Sequence, residues 1–137
     1  MGASVIEEPR DAGPVSGKGK GRQAMKMVSC IVRPERLEAV KEAFVQLGVV
    51  GGMMVTDVRG FGRQKGQVEH YRGGEYTIRF LPKVRIDIAV SEEDAESVIA
   101  AIRQAAHTGQ VGDGKLFISE VHQVVRIRTG ERGAIAL

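Results

Sequence analysis

The sequence predicts an α+β domain in which two helices cover one face of an antiparallel sheet. The first observation is the order of the apolar patterns, in which strand-like and helix-like segments alternate as β-α-β-β-α-β. The second is the composition, with 42% hydrophobic and 27% charged residues, which is typical of a globular domain. The third is the length of 137 residues, which suggests one domain that needs no metal or disulfide to fold.

The first half of the pattern begins at residues 27–32, an apolar run that indicates a central strand buried on both faces. Pro34 fits the first turn of a helix, and apolar residues then recur at helical spacing. Gly48 is a natural C-terminal stop for this helix, because glycine readily adopts the left-handed conformation. Residues 53–60 are the second predicted strand.

The second half contains the clearest strand signal, at residues 84–90, where large apolar side chains occupy every second position. Ser91 and Asp94 resemble a capping box that opens a helix ending at Gly109. The remaining predicted extended segments are residues 116–121 and 124–129. The predicted fold class is therefore a ferredoxin-like β-α-β-β-α-β sandwich with a long loop between strands 2 and 3.

One face of this predicted sheet has no cover. The strand at residues 27–32 offers apolar side chains to both faces, and the chain is too short to supply a third layer. We therefore expect that self-association covers the face that the helices leave open.

The N-terminal segment and the single cysteine indicate the domain boundary and the cellular compartment. Residues 1–24 are rich in Gly, Pro, Ser and charge without periodicity, which predicts a disordered N-terminal extension before a domain at residues 25–137. No apolar stretch suits a secretory signal or a membrane span. Cys30 lies in an apolar run and excludes a disulfide framework, so we expect a reducing, cytoplasmic location.

Glycine and basic residues dominate residues 59–83, between the second and third predicted strands. This segment is too flexible and too charged to be part of a core. Long loops inside compact domains are uncommon and are usually functional or disordered. We therefore expect that the domain holds this loop for a function.

The start of the long loop reads GFGRQKG at residues 60–66. Glycines allow the backbone to approach a ligand and to turn N–H groups inward as an anion-binding nest. Arg63 and Lys65 add positive charge, and the Gln64 oxygen could reach a metal. The alternative is a plain flexible turn.

A second glycine-rich segment reads GQVGDGK at residues 109–115. It matches the spacing of a phosphate loop, but Leu116 replaces the hydroxyl residue that would hold magnesium. It also follows a helix and enters a strand, which is the reverse of the usual context. A hydrolase of the phosphate-loop class is therefore disfavoured. Phosphate binding by the backbone amides and Lys115 is still expected, because it needs no particular fold. The alternative is a helix-to-strand turn.

Arg126 and Arg128 form the third candidate feature. In an extended segment, residues two apart project to the same side, so both guanidinium groups would point together. Such a pair suits a polyphosphate. The alternative is an ordinary solvent-exposed strand face. Together with the two glycine-rich loops, however, the arginine pair favours phosphate binding.

Two other classes of protein are disfavoured. Residues 59–62 match the opening of the RNP1 motif of RNA-recognition modules, but the base-stacking aromatic residues do not follow, so direct nucleic-acid binding is not expected. His70, His107 and His122 are dispersed. Neither metal-ligand spacing nor a nucleophile-histidine arrangement can be recognised, so the sequence predicts no enzyme.

Several segments form a set in fixed order. They are GFGRQKG at residues 60–66, YRGGEY at 71–76, FLPK at 80–83, the stretch 108–115, and RIRTGE at 126–131. This set resembles the PII nitrogen-regulatory signalling proteins, and the resemblance extends over residues 26–131. It implies a homotrimer of ferredoxin-like subunits in which ATP and ADP compete for clefts between the subunits. The three functional loops that it implies are the T-loop (about residues 62–83), the B-loop (about 107–115) and the C-terminal loop (about 126–137).

The resemblance implies a set of nucleotide contacts. The phosphates would meet backbone amides of the T-loop root and of the B-loop, together with basic side chains. Asp87 and Ala89 would lie beside the ribose and base. The implied nucleotide-binding residues are Gly60, Phe61, Gly62, Arg63, Gln64, Asp87, Ala89, Thr108, Gly112, Asp113, Gly114, Lys115, Arg126 and Arg128.

The second ligand implied by the resemblance is 2-oxoglutarate, which would chelate Mg²⁺ held by the phosphates of ATP and the Gln64 side chain. Lys83 would pair with the distal carboxylate, and Arg33 would assist. ADP lacks the γ-phosphate that helps to place the metal, so 2-oxoglutarate should need ATP. The implied 2-oxoglutarate residues are Arg33, Gln64, Lys65, Gly66 and Lys83, with Gln64 as the metal ligand.

The resemblance also implies a regulator that acts through its T-loop on target enzymes, a transporter or a transcription regulator, and that meets a membrane only through a transporter partner. Tyr76 matches the family's nucleotidylated tyrosine, and an unmodified loop tyrosine is the alternative. Met54 and the Gly51-Gly52 pair depart from the family pattern where adenine binds. The alternative functions are a PII-like adenylate sensor for another small anion such as bicarbonate, and a slow ATPase.

Overall fold

The computed structural model describes residues 24–61, 68–71 and 75–137, and it describes residues 68–71 and 75–78 by their backbone alone. Of the extension predicted at residues 1–24, residues 1–23 lie outside the described residues, and so does the T-loop root at residues 62–66. The elements are β1 (Met25–Val32), α1 (Leu37–Leu47), β2 (Met53–Gly60), β3 (Val68–Tyr71), β4 (Glu75–Ile78), β5 (Leu81–Ser91), α2 (Glu92–Ala106) and β6 (Lys115–Val121).

The main sheet is antiparallel, with the strand order β2-β5-β1-β6. With α1 and α2 placed between the strands in sequence, this is the predicted ferredoxin-like α+β fold, which is thereby confirmed. The helix after β1 begins with a short 3-10 turn, Pro34–Arg36, that has proline in its first turn. Helix α1 ends at Gly48, which is left-handed as expected, with a φ of 68°.

Alternate residues of the two central strands face the helices and form the core. Val28 of β1 pairs with Ile88 of β5, and both are fully buried. Cys30 pairs with Ile86 in the same way. Burial raises the pKa of the Cys30 thiol to about 11, so this cysteine is a protonated core residue. The helices add Val40, Phe44, Ala95, Val98, Ile102 and Ala106.

The opposite face of the sheet carries the residues that are out of phase with the core. Met54 of β2 pairs with Asp87 of β5, and Phe117 of β6 pairs with Ser29 of β1. Met54 is 58% exposed and Phe117 is 54% exposed. We call this side of the sheet, away from the helices, the open face.

Helix α2 begins directly after Ser91, its N-cap residue, as predicted, but its cap contact and its C-terminal end differ from the prediction. Ser91 Oγ donates to Asp94 Oδ2 at 3.1 Å, so the predicted capping box is replaced by a contact between the two side chains. The helix ends at Ala106, before the predicted Gly109. It stops there because the backbone N–H groups of Thr108 and Gly109 donate to the Asp113 carboxylate.

The prediction of an extended segment at residues 124–129 is right only for its first part: Val125 forms an isolated antiparallel bridge with Arg132, whereas residues 127–129 form a turn. The N–H of Gly130 donates to the carbonyl oxygen of Arg126 at 2.7 Å, and the N–H of Arg126 donates to Glu131 O at 2.9 Å. The chain therefore folds back, and it ends in a short 3-10 helix, Gly133–Ala136.

The long loop contains regular structure that periodicity did not predict. Strands β3 and β4 pair antiparallel as a two-stranded hairpin. Strand β5 begins at Leu81, where it pairs with Gly60, so residues 81–83 of the predicted T-loop belong to the sheet. Among the described helices, none is long and apolar enough to cross a membrane.

Candidate functional site

Asp113 organises the B-loop. Its Oδ2 accepts hydrogen bonds from the N–H of Thr108 at 2.7 Å and of Gly109 at 2.9 Å. Its Oδ1 accepts from Thr108 Oγ1 and from Arg33 Nε, the latter at 3.0 Å. Burial alone would raise the pKa of Asp113, but these hydrogen bonds together hold it well below its usual value. The carboxylate is thus ionised and joins both ends of the loop to the end of β1.

Gly114 lets the B-loop lie directly on β1. Its φ is 96°, and a Cβ at this position would come within 1.7 Å of Ile31 O. No side chain therefore fits at this position, and the positive φ itself also favours glycine. Gly112, at a φ of 109°, also has a left-handed backbone. The loop is therefore held in shape by two glycines and one carboxylate.

Two basic side chains from different strands converge on the B-loop. Arg33, which follows β1, donates from Nη2 to Val111 O at 3.0 Å. Lys83, near the start of β5, donates from Nζ to Gly112 O at 2.8 Å. Burial chiefly, and the nearby Arg33 charge next, lower the pKa of Lys83. Arg33 and Lys83, which lie 50 residues apart in the sequence, thus form one basic cluster at the B-loop.

Two clefts flank this cluster. The larger, of about 500 Å³, is lined by the start of β5 and the end of β2 and includes Lys83, Arg59 and Asp57. The smaller, of about 250 Å³, lies between the end of α2 and the start of β6 and includes Lys115, His107 and Asp113. Both are of a size that suits small anionic ligands, and basic side chains line each of them.

Asp87 and Ala89 lie on the open face of the sheet, on the strand adjoining Met54. Asp87 Oδ1 accepts from Ser29 Oγ, and both carboxylate oxygens accept from Arg85 Nε, at 3.1 and 3.0 Å. The structure therefore places this pair on β5, beyond Lys83 along the strand. Ser29 gave no functional signal in sequence, since an isolated serine in an apolar run is uninformative.

Arg126 does not project as expected from the sequence. It pairs with Glu131 through Nη1, and its Nη2 donates to Ile135 O at 3.0 Å and to Leu137 O at 3.4 Å. Arg128 lies in the adjoining turn and is exposed. The prediction that the two arginines share one side of an extended strand is wrong, because the backbone turns between them.

The root of the T-loop is described only at its edges. Gly60 is the last residue of β2, and Phe61 follows it. The rings of Phe61 and Phe80 meet edge to face, with centroids 5.2 Å apart, which closes the base of the loop. Gly62, Arg63, Gln64, Lys65 and Gly66 lie outside the described residues, and of Tyr76 only the backbone, in β4, is described.

Sequence reasoning missed two roles that the structure reveals. The Asp113 side chain was expected to matter only through its amide, and Glu131 was not singled out as the partner of Arg126. An aspartate inside a glycine-rich turn is a signal for side-chain bonding to nearby backbone, and it could have indicated the first role. In the described part of the chain, no group of three or more His, Cys, Asp or Glu residues could hold a metal ion.

The fold defines a ferredoxin-like domain with an elaborated connection between β2 and β5. Comparison with known proteins gives the family: the model described as "Nitrogen regulatory protein P-II" matches residues 25–131. This chain belongs to the P-II nitrogen regulatory protein family. It is accordingly a regulatory protein of nitrogen metabolism and not an enzyme, in line with the sequence prediction.

Individual relatives agree with this assignment. The chain is 52% identical over 113 residues to a nitrogen regulatory protein P-II of Rhizobium meliloti, covering 82% of this chain and all of the relative. It is 50% identical, with the same coverage, to the nitrogen regulatory protein GlnK of Escherichia coli K12. A solved structure of Arabidopsis thaliana PII bound to citrate superposes with a TM-score of 0.69 at 39% identity, covering 84% of this chain and 94% of that one.

Proposed function

We propose that this chain forms a cytoplasmic homotrimer that senses ATP, ADP and 2-oxoglutarate and regulates nitrogen-assimilation partners through its T-loop. The observation that carries the proposal is the convergence of Arg33 and Lys83 on the B-loop. It brings the groups proposed for a dicarboxylate beside a glycine-rich loop proposed for phosphates. Two anionic ligands can lie side by side only where fixed positive charge offsets their repulsion.

The nucleotide phosphates would be held mainly by backbone amides. Gly112 and Gly114 have positive φ values of 109° and 96°, which let several N–H groups gather around an anion. Lys115 follows directly and adds charge. The T-loop root would supply further amides, while Asp87 and Ala89 would lie beside the ribose and base.

Arg126 would have to exchange partners in order to bind a phosphate. Its ion pair with Glu131 is partly exposed, with 36% and 38% of the two side chains accessible. Exposed pairs of this kind contribute only about 0–1 kcal/mol, so a triphosphate with several negative charges can displace the carboxylate. Arg126 and the exposed Arg128 would then reach across a cleft between subunits.

The second ligand would be 2-oxoglutarate, bound together with Mg²⁺. The Gln64 side chain offers a neutral oxygen of the kind that Mg²⁺ accepts, and the phosphates of ATP would supply the others. The ion would offset charge between the two anions. Lys83 would hold the distal carboxylate, with Arg33 and the amides of Lys65 and Gly66 beside it. The Arabidopsis relative is bound to citrate, and a carboxylate ligand supports this assignment.

Trimerisation is supported by the open face of the sheet. It exposes Met54 and Phe117, whose apolar surface would be costly to leave in water. Within the described residues, both side chains remain more than half exposed. Assembly around a threefold axis would bury the three open faces together and form the clefts between subunits.

The T-loop would be the output of the sensor. Its root at residues 62–66 is proposed to contact both ligands, so ligand binding would change how the loop leaves the domain. Target enzymes, a transporter or a transcription regulator would read that change, and Tyr76 is the proposed site of nucleotidylation.

Calorimetry tests the sensing proposal. We expect 2-oxoglutarate to bind in the presence of Mg-ATP and not in the presence of Mg-ADP, because only ATP completes the metal site. Lys83→Gln should weaken 2-oxoglutarate binding at least tenfold, since a hydrogen bond to a charged group contributes about 1.5–3 kcal/mol. Lys26→Gln is the matched control, because Lys26 pairs with Glu120 elsewhere on the sheet.

The same titration separates the alternatives. Equal binding of 2-oxoglutarate with both nucleotides would contradict a metal bridge through the γ-phosphate. If the protein binds adenylates and bicarbonate but 2-oxoglutarate gives no heat of binding, the protein is instead a sensor for a different small anion.

A further inference from the structure

Two neighbouring peptide units of the B-loop are each held by a basic side chain. Arg33 Nη2 donates to Val111 O at 3.0 Å, and Lys83 Nζ donates to Gly112 O at 2.8 Å. A peptide unit is planar and trans, so its C=O and its N–H point in opposite directions. Fixing the carbonyl of Val111 therefore fixes the direction of the Gly112 N–H. Fixing the carbonyl of Gly112 likewise fixes the Asp113 N–H.

Arg33 is itself fixed by the loop that it orients. Its Nε donates to Asp113 Oδ1 at 3.0 Å while its Nη2 donates to Val111 O. The same carboxylate anchors the N–H groups of Thr108 and Gly109. One planar guanidinium group thus bridges two points of the loop at once, which a lysine with a single ammonium group cannot do in the same geometry.

We propose that Arg33 and Lys83 are positioning residues for the nucleotide site, and that Asp113 locks Arg33 in this role. The two cations draw the carbonyls of Val111 and Gly112 toward themselves, which turns the N–H groups of Gly112 and Asp113 to the other side, toward the phosphates. The inference rests on the proposed function and adds a role that operates before 2-oxoglutarate is present.

This arrangement also couples the two ligand sites through the protein itself. A carboxylate that engages Arg33 or Lys83 competes for the donors that orient the phosphate-binding amides. The affinity for nucleotide then depends on the state of the second site, and by linkage the reverse holds equally. This competition opposes the cooperative coupling through a shared metal, and it persists when the metal is removed.

The test is the affinity for ATP in EDTA, without 2-oxoglutarate, measured by calorimetry. Arg33→Gln and Asp113→Asn should each weaken ATP binding about two- to tenfold, the effect expected for one net hydrogen bond. The double variant should lose less than the product of the two factors, because both changes remove the same contact. Unchanged ATP affinity in Arg33→Gln would overturn the proposal.

Two control variants separate positioning from charge. Arg33→Lys keeps the charge but not the bridging fork, so we expect it to remain weakened. Lys26→Gln removes one positive charge from β1, the strand that precedes Arg33. Lys26 pairs with Glu120 at the end of β6 away from the B-loop, so this change should leave ATP affinity within about twofold of the wild type. Full rescue by Arg33→Lys, or an equal loss in Lys26→Gln, would show that charge alone matters and would refute the positioning role.

The ligand-free protein gives a readout that does not depend on the proposed function. Amide NMR signals of Gly112 and Asp113 should shift in Arg33→Gln, while signals of the core strands stay in place. If the wild type binds no ATP, the proposed sensing function fails. The amide signals would still decide the positioning role, and unshifted signals would refute it.

Discussion

Asp113 is a side chain whose ionisation is coupled to folding. In the unfolded chain an aspartate has a pKa of about 3.9. In the folded protein, hydrogen bonds from Thr108, Gly109 and Arg33 outweigh burial and hold the Asp113 pKa lower. The unfolded state therefore takes up the proton first as the pH falls. The stabilisation is fully present above the unfolded pKa and is lost as the pH falls toward the folded value.

Asp113→Asn should accordingly reduce the free energy of unfolding at pH 7 and at pH 5 by similar amounts. Below about pH 4, the difference between the wild type and the variant should narrow, because the unfolded wild-type chain then binds a proton at Asp113 while the folded carboxylate is still ionised. Urea unfolding at pH 7, 5, 4 and 3 measures this difference. A gap that stays constant down to pH 3 would contradict an ionised carboxylate as the organiser of the loop.

At the scale of elements, the helices and the strands of the main sheet could be predicted, whereas the β3-β4 hairpin and the connections between the elements could not. The alternation at residues 84–90 and the helical spacing before Gly48 are local, so the sequence carries them directly. The end of α2 depends on Asp113, and Asp113 also bonds to Arg33, which lies 80 residues earlier. The fold-back at residues 124–132 likewise depends on contacts of Arg126 with the last residues, which periodicity does not reveal.

For the candidate site, too, one part could be predicted from the sequence and another could not. Its glycines and basic residues could be found from sequence, because phosphate-binding loops share a recognisable composition. Their mutual arrangement could not, since Lys83 meets Gly112 only when β5 and the B-loop are brought to the same end of the sheet. Arg126 and Arg128 were recognised as a basic pair. The predicted geometry of the pair was wrong, because the backbone turns where an extended strand was expected.

The contact between the B-loop and β1 provides a prediction for one element against another. Gly114→Ala should destabilise the protein by about 1–3 kcal/mol from the backbone conformation alone, and more because the added Cβ collides with Ile31 O. Gly133→Ala is the matched control: its φ is 83°, and nothing lies within 4 Å of an added Cβ.

Urea unfolding of both variants isolates the collision from the cost of the left-handed backbone. We expect the Gly114 variant to lose clearly more stability than the Gly133 variant and also to lose nucleotide affinity. Equal losses in the two variants would mean that the loop can lift away from β1 without penalty.

For the whole molecule, the open face is the proposed surface of trimer assembly. Phe117 lies on this face at a position paired with Ser29, and it is 54% exposed in the single chain. Val45 lies on α1, in the helical layer, and is 66% exposed. The two residues thus offer similar exposed apolar surface on opposite layers of the fold, and only the first belongs to the proposed trimer interface.

Phe117→Asp should therefore dissociate the trimer, because burying three unpaired carboxylates in the assembly costs several kcal/mol. Val45→Asp should leave it intact. Sedimentation velocity gives the mass of each species, and circular dichroism checks that the dissociated chain keeps its secondary structure. A trimer that survives Phe117→Asp unchanged would place the interface elsewhere. If dissociation also abolishes ATP binding while the subunit remains folded, the nucleotide cleft requires residues from two subunits, as the separation of Arg126 from the B-loop in sequence and in its contacts leads us to expect.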